Sequence, residues 1–163
     1  MPKTYEPIAT YTVTSAQASY TFSSIPATYT DLVMVIVGIP STTTVGQTIR
    51  VNGDTGSNYS TTLINGNGTT AVSARYSNNT GWEGMNYTAA LSPIYNTITS
   101  FFNYANTNVN KTALTRYNGA NVEISASVNL WRNTAAITSI TALIPSGTYA
   151  AGSTFTLYGI KAA

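Results

Sequence analysis

The sequence predicts an all-β fold, a sandwich or barrel with little or no helix. Three observations carry that expectation. Thr, Val and Ile supply 52 of the 163 residues, and β-branched side chains favour the pleated, half-buried environment of a sheet. The unbranched helix formers Leu, Glu, Lys, Arg, Gln and Met supply only 22. Asn-Gly pairs stand at 52–53, 65–66 and 118–119 between apolar or alternating segments, the strongest short hairpin signal.

Period-two alternation then places the strands in order. Ile8 to Val13 and Ser19 to Phe22 flank a Thr-Ser-Ala-Gln turn and read as a first hairpin, with Tyr20 and Phe22 on one face. Asp31 to Ile39 contains the most hydrophobic run, ends at Pro40 and reads as a strand buried on both faces. Thr48 to Asn52, with Ile49 and Val51 inward, turns through Gly-Asp-Thr-Gly-Ser into Tyr59 to Ile64. An Asn-Gly-Asn-Gly tip at 65–68 leads to Ala71 to Tyr76, followed by an irregular loop from Ser77 to Met85. Ile94 to Tyr104, Lys111 to Tyr117, Val122 to Trp131, Ile137 to Ile144 and Phe155 to Ile160 complete the list. Thr and Asn are spread evenly, without a linker-like break, so residues 1–163 read as a single domain.

The absent residue types narrow the chemistry. Without His or Cys there is no imidazole base or ligand, no thiolate and no zinc or iron–sulfur motif. The seven Lys and Arg are scattered singly and make no basic stripe, which argues against nucleic acid. The apolar run from Leu32 to Ile39 is eight residues, far short of the roughly 20 a membrane helix needs. Met1 to Pro7 has no signal-peptide core, so the expectation is a leaderless soluble protein.

Few constellations point to a site. The five acids are Glu6, Asp31, Asp54, Glu83 and Glu123. Asp31 and Asp54 read as turn residues, and Glu123, between Val122 and Ile124, as a solvent or interface residue. Asn52-x-Asp54-x-Gly56-x-Asn58 has the spacing of a cation loop but one carboxylate, so turn chemistry is the better reading. No cofactor, metal or catalytic residue is expected. Tyr76, Trp82, Glu83 and Tyr87 gather around the longest irregular loop and form a candidate exposed recognition loop, where stacking aromatics could meet a glycan. Charged residues make up 7% of the chain against about 25% in typical domains. Such a surface is easily desolvated and suits a protein that works covered by neighbours.

Four segments carry a family resemblance. They are Phe22-Ser-Ser-Ile-Pro-Ala-Thr-Tyr-Thr-Asp-Leu32, Val51-Asn-Gly-Asp-Thr-Gly-Ser-Asn-Tyr-Ser60, Trp131-Arg-Asn-Thr-Ala-Ala-Ile-Thr-Ser-Ile140 and Gly152-Ser-Thr-Phe-Thr-Leu-Tyr-Gly-Ile160. In order and spread along the chain, they resemble segments of small structural virion proteins of tailed bacteriophages. That family is similar to jelly-roll head decoration (cement) proteins and to tail-fibre domains. The resemblance implies an antiparallel jelly-roll-type β-sandwich of about eight to ten strands. It also implies a non-enzymatic protein on the outer capsid surface of the virion, with the major capsid protein as partner and a homotrimer as stoichiometry. Pro2, Lys3, Thr4, Tyr5 and Glu6 are then the candidate interface arm, since Pro2 and Pro7 resist regular pairing. The alternative is a tail-fibre or receptor-binding module that recognises host-surface glycan through the Ser77 to Tyr87 loop.

Overall fold

The computed structural model describes residues 4–41, 46–83, 94–119 and 123–161. The chain builds β1 (Tyr5–Thr12), β2 (Ser19–Phe22), β3 (Asp31–Gly38), β4 (Thr48–Val51), β5 (Tyr59–Gly66) and β6 (Ala71–Asn79). It continues with β7 (Trp82–Glu83), β8 (Tyr95–Phe102), β9 (Lys111–Gly119), β10 (Glu123–Trp131), β11 (Ile140–Leu143) and β12 (Thr154–Ile160). These form two antiparallel sheets, an eight-stranded one in the order β1-β12-β3-β8-β9-β10-β5-β6 and a four-stranded one in the order β2-β11-β4-β7. The all-β sandwich is as expected. The strand count is higher, and the unequal division does not by itself carry the finer jelly-roll description.

The core lies between the sheets. Leu32, Met34 and Ile36 of β3, Phe155 and Leu157 of β12 and Phe101 of β8 face Phe22, Ile49, Val51, Ile140 and Ala142 of the small sheet. Tyr11 of β1 stacks flat on Tyr20 of β2, ring centroids 4.1 Å apart, tying one margin of the sandwich together. Close packing also explains two strand glycines. A Cβ on Gly38 would meet the Tyr95 ring at 2.2 Å, and one on Gly159 the Tyr29 ring at 2.3 Å, so each aromatic lies directly on bare backbone.

Two expected pairings are different in the structure. β1 and β2 are no hairpin, because β1 pairs with β12 in the large sheet and β2 with β11 in the small one. β4 and β5 also separate, β4 joining β11 and β5 joining β10. The Asn52-Gly53 turn does form, with φ values of 53° and 65° and a 3.0 Å hydrogen bond from Asp54 N to Val51 O. Its strands diverge because the Asn52 side chain is anchored elsewhere. Oδ1 accepts from Thr138 N and Ser139 N, while Nδ2 donates to Ala136 O at 2.7 Å. The turn is a corner between sheets. At the β5–β6 hairpin the tip is 67–70, where Asn67 Oδ1 accepts from the backbone N–H groups of Thr69 and Thr70.

Candidate functional site

Most two-sheet proteins bury their apolar residues inward and set polar ones outward. Strands β5, β8, β9 and β10 reverse part of that pattern. Inward-facing positions include Thr61, Thr97, Thr99, Thr115, Ser127 and Asn129, all buried. All but Thr97, whose hydroxyl has no hydrogen-bond partner among the described residues, satisfy one another in a ladder across four strands. Thr61 Oγ1 donates to Asn129 Oδ1 at 2.8 Å, and Asn129 Nδ2 donates to Thr115 Oγ1 at 3.0 Å and Ser127 Oγ at 3.2 Å. Thr115 and Thr99 share a further hydroxyl bond of 3.1 Å.

At least half of the outward positions of the same strands are apolar. Register places Ile98, Arg116, Ala126 and Ile64 in one cross-strand row and Ser100, Leu114, Val128 and Thr62 in the next. Phe102, Thr112, Leu130 and Ser60 form a third row, and β3 extends the face with Val33, Val35 and Val37. Ile124, Ile64 and Val128 are 69%, 64% and 61% exposed. A concavity of about 650 Å³ opens where Ile64, Ile98, Ile124 and Ala126 surround Arg116, flanked by Asn96 and Asn118. By contrast, the outer face of the four-stranded sheet is polar at its centre, where Thr21 hydrogen-bonds Thr141 at 2.9 Å and Arg50 lies opposite Thr141. The two outer surfaces are chemically unlike. Contiguous exposed apolar surface marks an interaction site, so the outer face of the large sheet is the candidate site.

The residues singled out from sequence fall elsewhere. Pro2 and Lys3 lie outside the described residues. Tyr5 and Glu6 are no free arm, because they begin β1, paired with Ile160 and Gly159. Lys161 N donates to Thr4 O, and Lys161 Nζ contacts Glu6 Oε1 at 2.9 Å. Pro7 keeps a place opposite Tyr158, and a register shift before Ala9 adjusts the pairing, which an edge strand tolerates.

The recognition loop dissolves in a similar way. β6 runs to Asn79 and β7 takes Trp82 and Glu83, so among its described residues, 77–83, only Thr80 and Gly81 lie outside strands. Trp82 is 0% exposed, packed against Tyr59 and Phe101 with ring centroids 5.8 Å away in each case, and offers no stacking surface. Tyr76 is half-buried on β6 opposite Thr61. Glu83 is half-buried, accepts from Asn79 Nδ2 at 3.3 Å, and burial raises its carboxyl pKa. Tyr87 lies outside the described residues.

Two acids differ from or refine the sequence reading. Glu123 is half-buried and its Oε2 accepts from Asn65 Nδ2 at 2.9 Å, while Ile124 takes the exposed position. In the Asp54 loop the carboxylate accepts from Trp131 Nε1 at 2.6 Å, Gly56 N at 2.7 Å and Asn58 Nδ2 at 2.9 Å. Desolvation works to raise its pKa, but these hydrogen bonds outweigh it and hold the carboxyl below its ordinary value. The oxygen donors are committed to closing a turn.

Sequence reasoning also missed Lys111, which is fully buried and donates to the carbonyls of Asn106, Val109 and Thr134. No carboxylate accompanies it. Its position in strict alternation with Ala113 and Thr115 was the available signal. Comparison with protein-family models and with curated proteins finds no match for this chain.

Proposed function

We propose that the chain is a non-enzymatic structural protein that works inside a protein assembly. Following the segments that resemble phage virion proteins, we identify that assembly with a virion whose outer capsid surface the protein decorates, clamping neighbouring major capsid subunits. One observation carries the reading: a broad sheet face rich in exposed apolar side chains, on a chain only 7% charged. Left in water such a face favours indiscriminate association, and covered by a neighbour it becomes a second core. A protein of this kind acts by linkage, since whatever binds assembled subunits and not dissociated ones stabilises the assembly. Its partners in this reading are the major capsid protein and further copies of itself. The glycan-binding alternative loses its main support with the burial of Trp82.

The test is the copy number of the chain in purified particles of the virus that encodes it, by quantitative mass spectrometry. Hundreds of copies are expected. A dozen copies per particle, or none, overturns the decoration reading.

A further inference from the structure

Apart from Arg75 and Arg132 at its margins, the candidate face carries two opposite charges placed so that the face complements itself. Arg116 stands on β9 and Asp31 on β3, both on the outer side of the large sheet. Arg116 has no ion pair or hydrogen-bond partner among the described residues. Asp31 accepts from Asn103 N through Oδ1 at 2.8 Å, and its second oxygen is uncommitted among those residues. The other four acids are engaged with Lys161, with the Asp54 turn, with Asn79 and with Asn65. A cation amid apolar side chains calls for a carboxylate, and within the chain Asp31 is the acid that shares its face.

We propose that the outer face of the eight-stranded sheet is the contact between two copies of this chain, related by a two-fold axis lying in the interface. This rests on the assembly reading above and names the partner of that same face. Arg116 and Asp31 are separated by two strands and by two cross-strand rows. At ~4.8 Å per strand and ~3.4 Å per residue they lie about 17 Å apart, with their midpoint near Ser100 in the middle of the apolar face. A two-fold axis through that midpoint, perpendicular to the line joining them, sets Arg116 of each copy against Asp31 of the other. Two symmetric ion pairs result, as an isologous interface requires.

The operation brings Leu114 towards Phe102 of the other copy. It also lays the exposed Tyr5–Ile160 corner over the concavity beside Arg116. Arg75 and Arg132 stand at the margins, and Arg132 is already bonded to Ser57, Ser60 and Asn78.

The area is sufficient. Six strands from β12 to β5, over seven residues each, make a patch of about 29 by 24 Å, on the order of 700 Å² per copy. Stable interfaces take about 600–1,000 Å² per partner. The proposed pairing is two-fold, where the resemblance implies a trimer, and it leaves the polar face of the small sheet open to a shell.

Charge exchange tests the geometry on the full chain. Arg116→Asp sets like charges together at both contacts of its own homodimer, and so does Asp31→Arg. An equimolar mixture of the two variants has opposite charges at both contacts. Sedimentation velocity is expected to show a dimer for the wild type, at least a tenfold weaker dimer for each variant alone, and a restored dimer for the mixture. A monomeric wild type, or variants that pair as well alone as mixed, overturns the proposal. Val128→Asp, exposed in the cross-strand row next to that of Arg116, guards against a variant that fails to fold. It must weaken pairing at least tenfold with the circular dichroism unchanged, and undiminished pairing refutes the interface. A monomer found in hundreds of copies per particle would refute the dimer and leave the decoration reading standing. A dimer absent from particles would do the opposite.

Discussion

Replacing Asn129 with Leu strikes the ladder that lets β10 turn polar side chains inward. Asn129 is completely buried and bonded to Thr61, Thr115 and Ser127. Thr115 keeps Thr99 as a hydroxyl partner after the change. Thr61 and Ser127 do not, because the Asn129 side chain is the partner that each of their hydroxyls uses. Leaving two buried hydroxyls unsatisfied costs about 1–3 kcal/mol each. A total of about 3 kcal/mol is expected, or roughly 6–12 °C in Tm for a chain of this size. Urea unfolding followed by the fluorescence of Trp82 and Trp131 reads it. Removing both ends together, with Thr61→Val and Asn129→Leu in one chain, exchanges a polar pair for an apolar one and should recover the Thr61 share of the loss. If the single variant costs under about 1 kcal/mol, or the double variant is no better than the single, the ladder is not what holds the inner face.

Other consequences follow from individual groups. Lys111→Met removes the donor for three backbone carbonyls and should cost about 3 kcal/mol in thermal or urea unfolding, with under 1 kcal/mol refuting the role. Burial pushes the Tyr59 phenol up to about 12, from 10.0. Its folded pKa is raised, so its contribution is complete below pH 10 and is lost as pH climbs from 10 to about 12, worth about 3 kcal/mol. Absorbance titration should therefore show a group of tyrosines that ionise only as the protein unfolds, and complete ionisation near pH 10 with the fold intact would contradict it. Lys161→Ala removes an exposed ion pair to Glu6 and should leave the unfolding temperature unchanged, since β1 is held by its ladder to β12. A loss of stability on differential scanning calorimetry would mean that the ion pair fastens the edge.

Much of the architecture was legible from local signals. Alternation located β2, β3, β9 and β10 nearly to the residue, and Tyr20 and Phe22 do share a half-buried to buried face. What local signals lack is the identity of the neighbouring strand, which depends on contacts far along the chain. That is why Asn52-Gly53 looked like a hairpin and is a corner, its direction set by Ala136, Thr138 and Ser139. The docking face was hidden for a different reason. In β10, Ile124, Val128 and Leu130 alternate with Ser125, Ser127 and Asn129, and the usual assumption turns the apolar set inward. The buried ladder turns it outward, and no single-strand pattern can report that four neighbouring strands satisfy one another. Trp82 and Glu83 misled because a run of Asn, Thr and Gly reads as loop, whereas the pairing of Trp82 with Ile49 makes it a short strand.

The central claim is that the outer face of the large sheet is covered by a neighbouring protein surface, a second copy of the chain. Sedimentation equilibrium of the full, unmodified chain addresses it most directly. The account predicts a species of twice the 17.2 kDa chain mass, falling to the single mass in Val128→Asp at equal concentration. A wild-type chain that stays at the single mass at every concentration reached would contradict it.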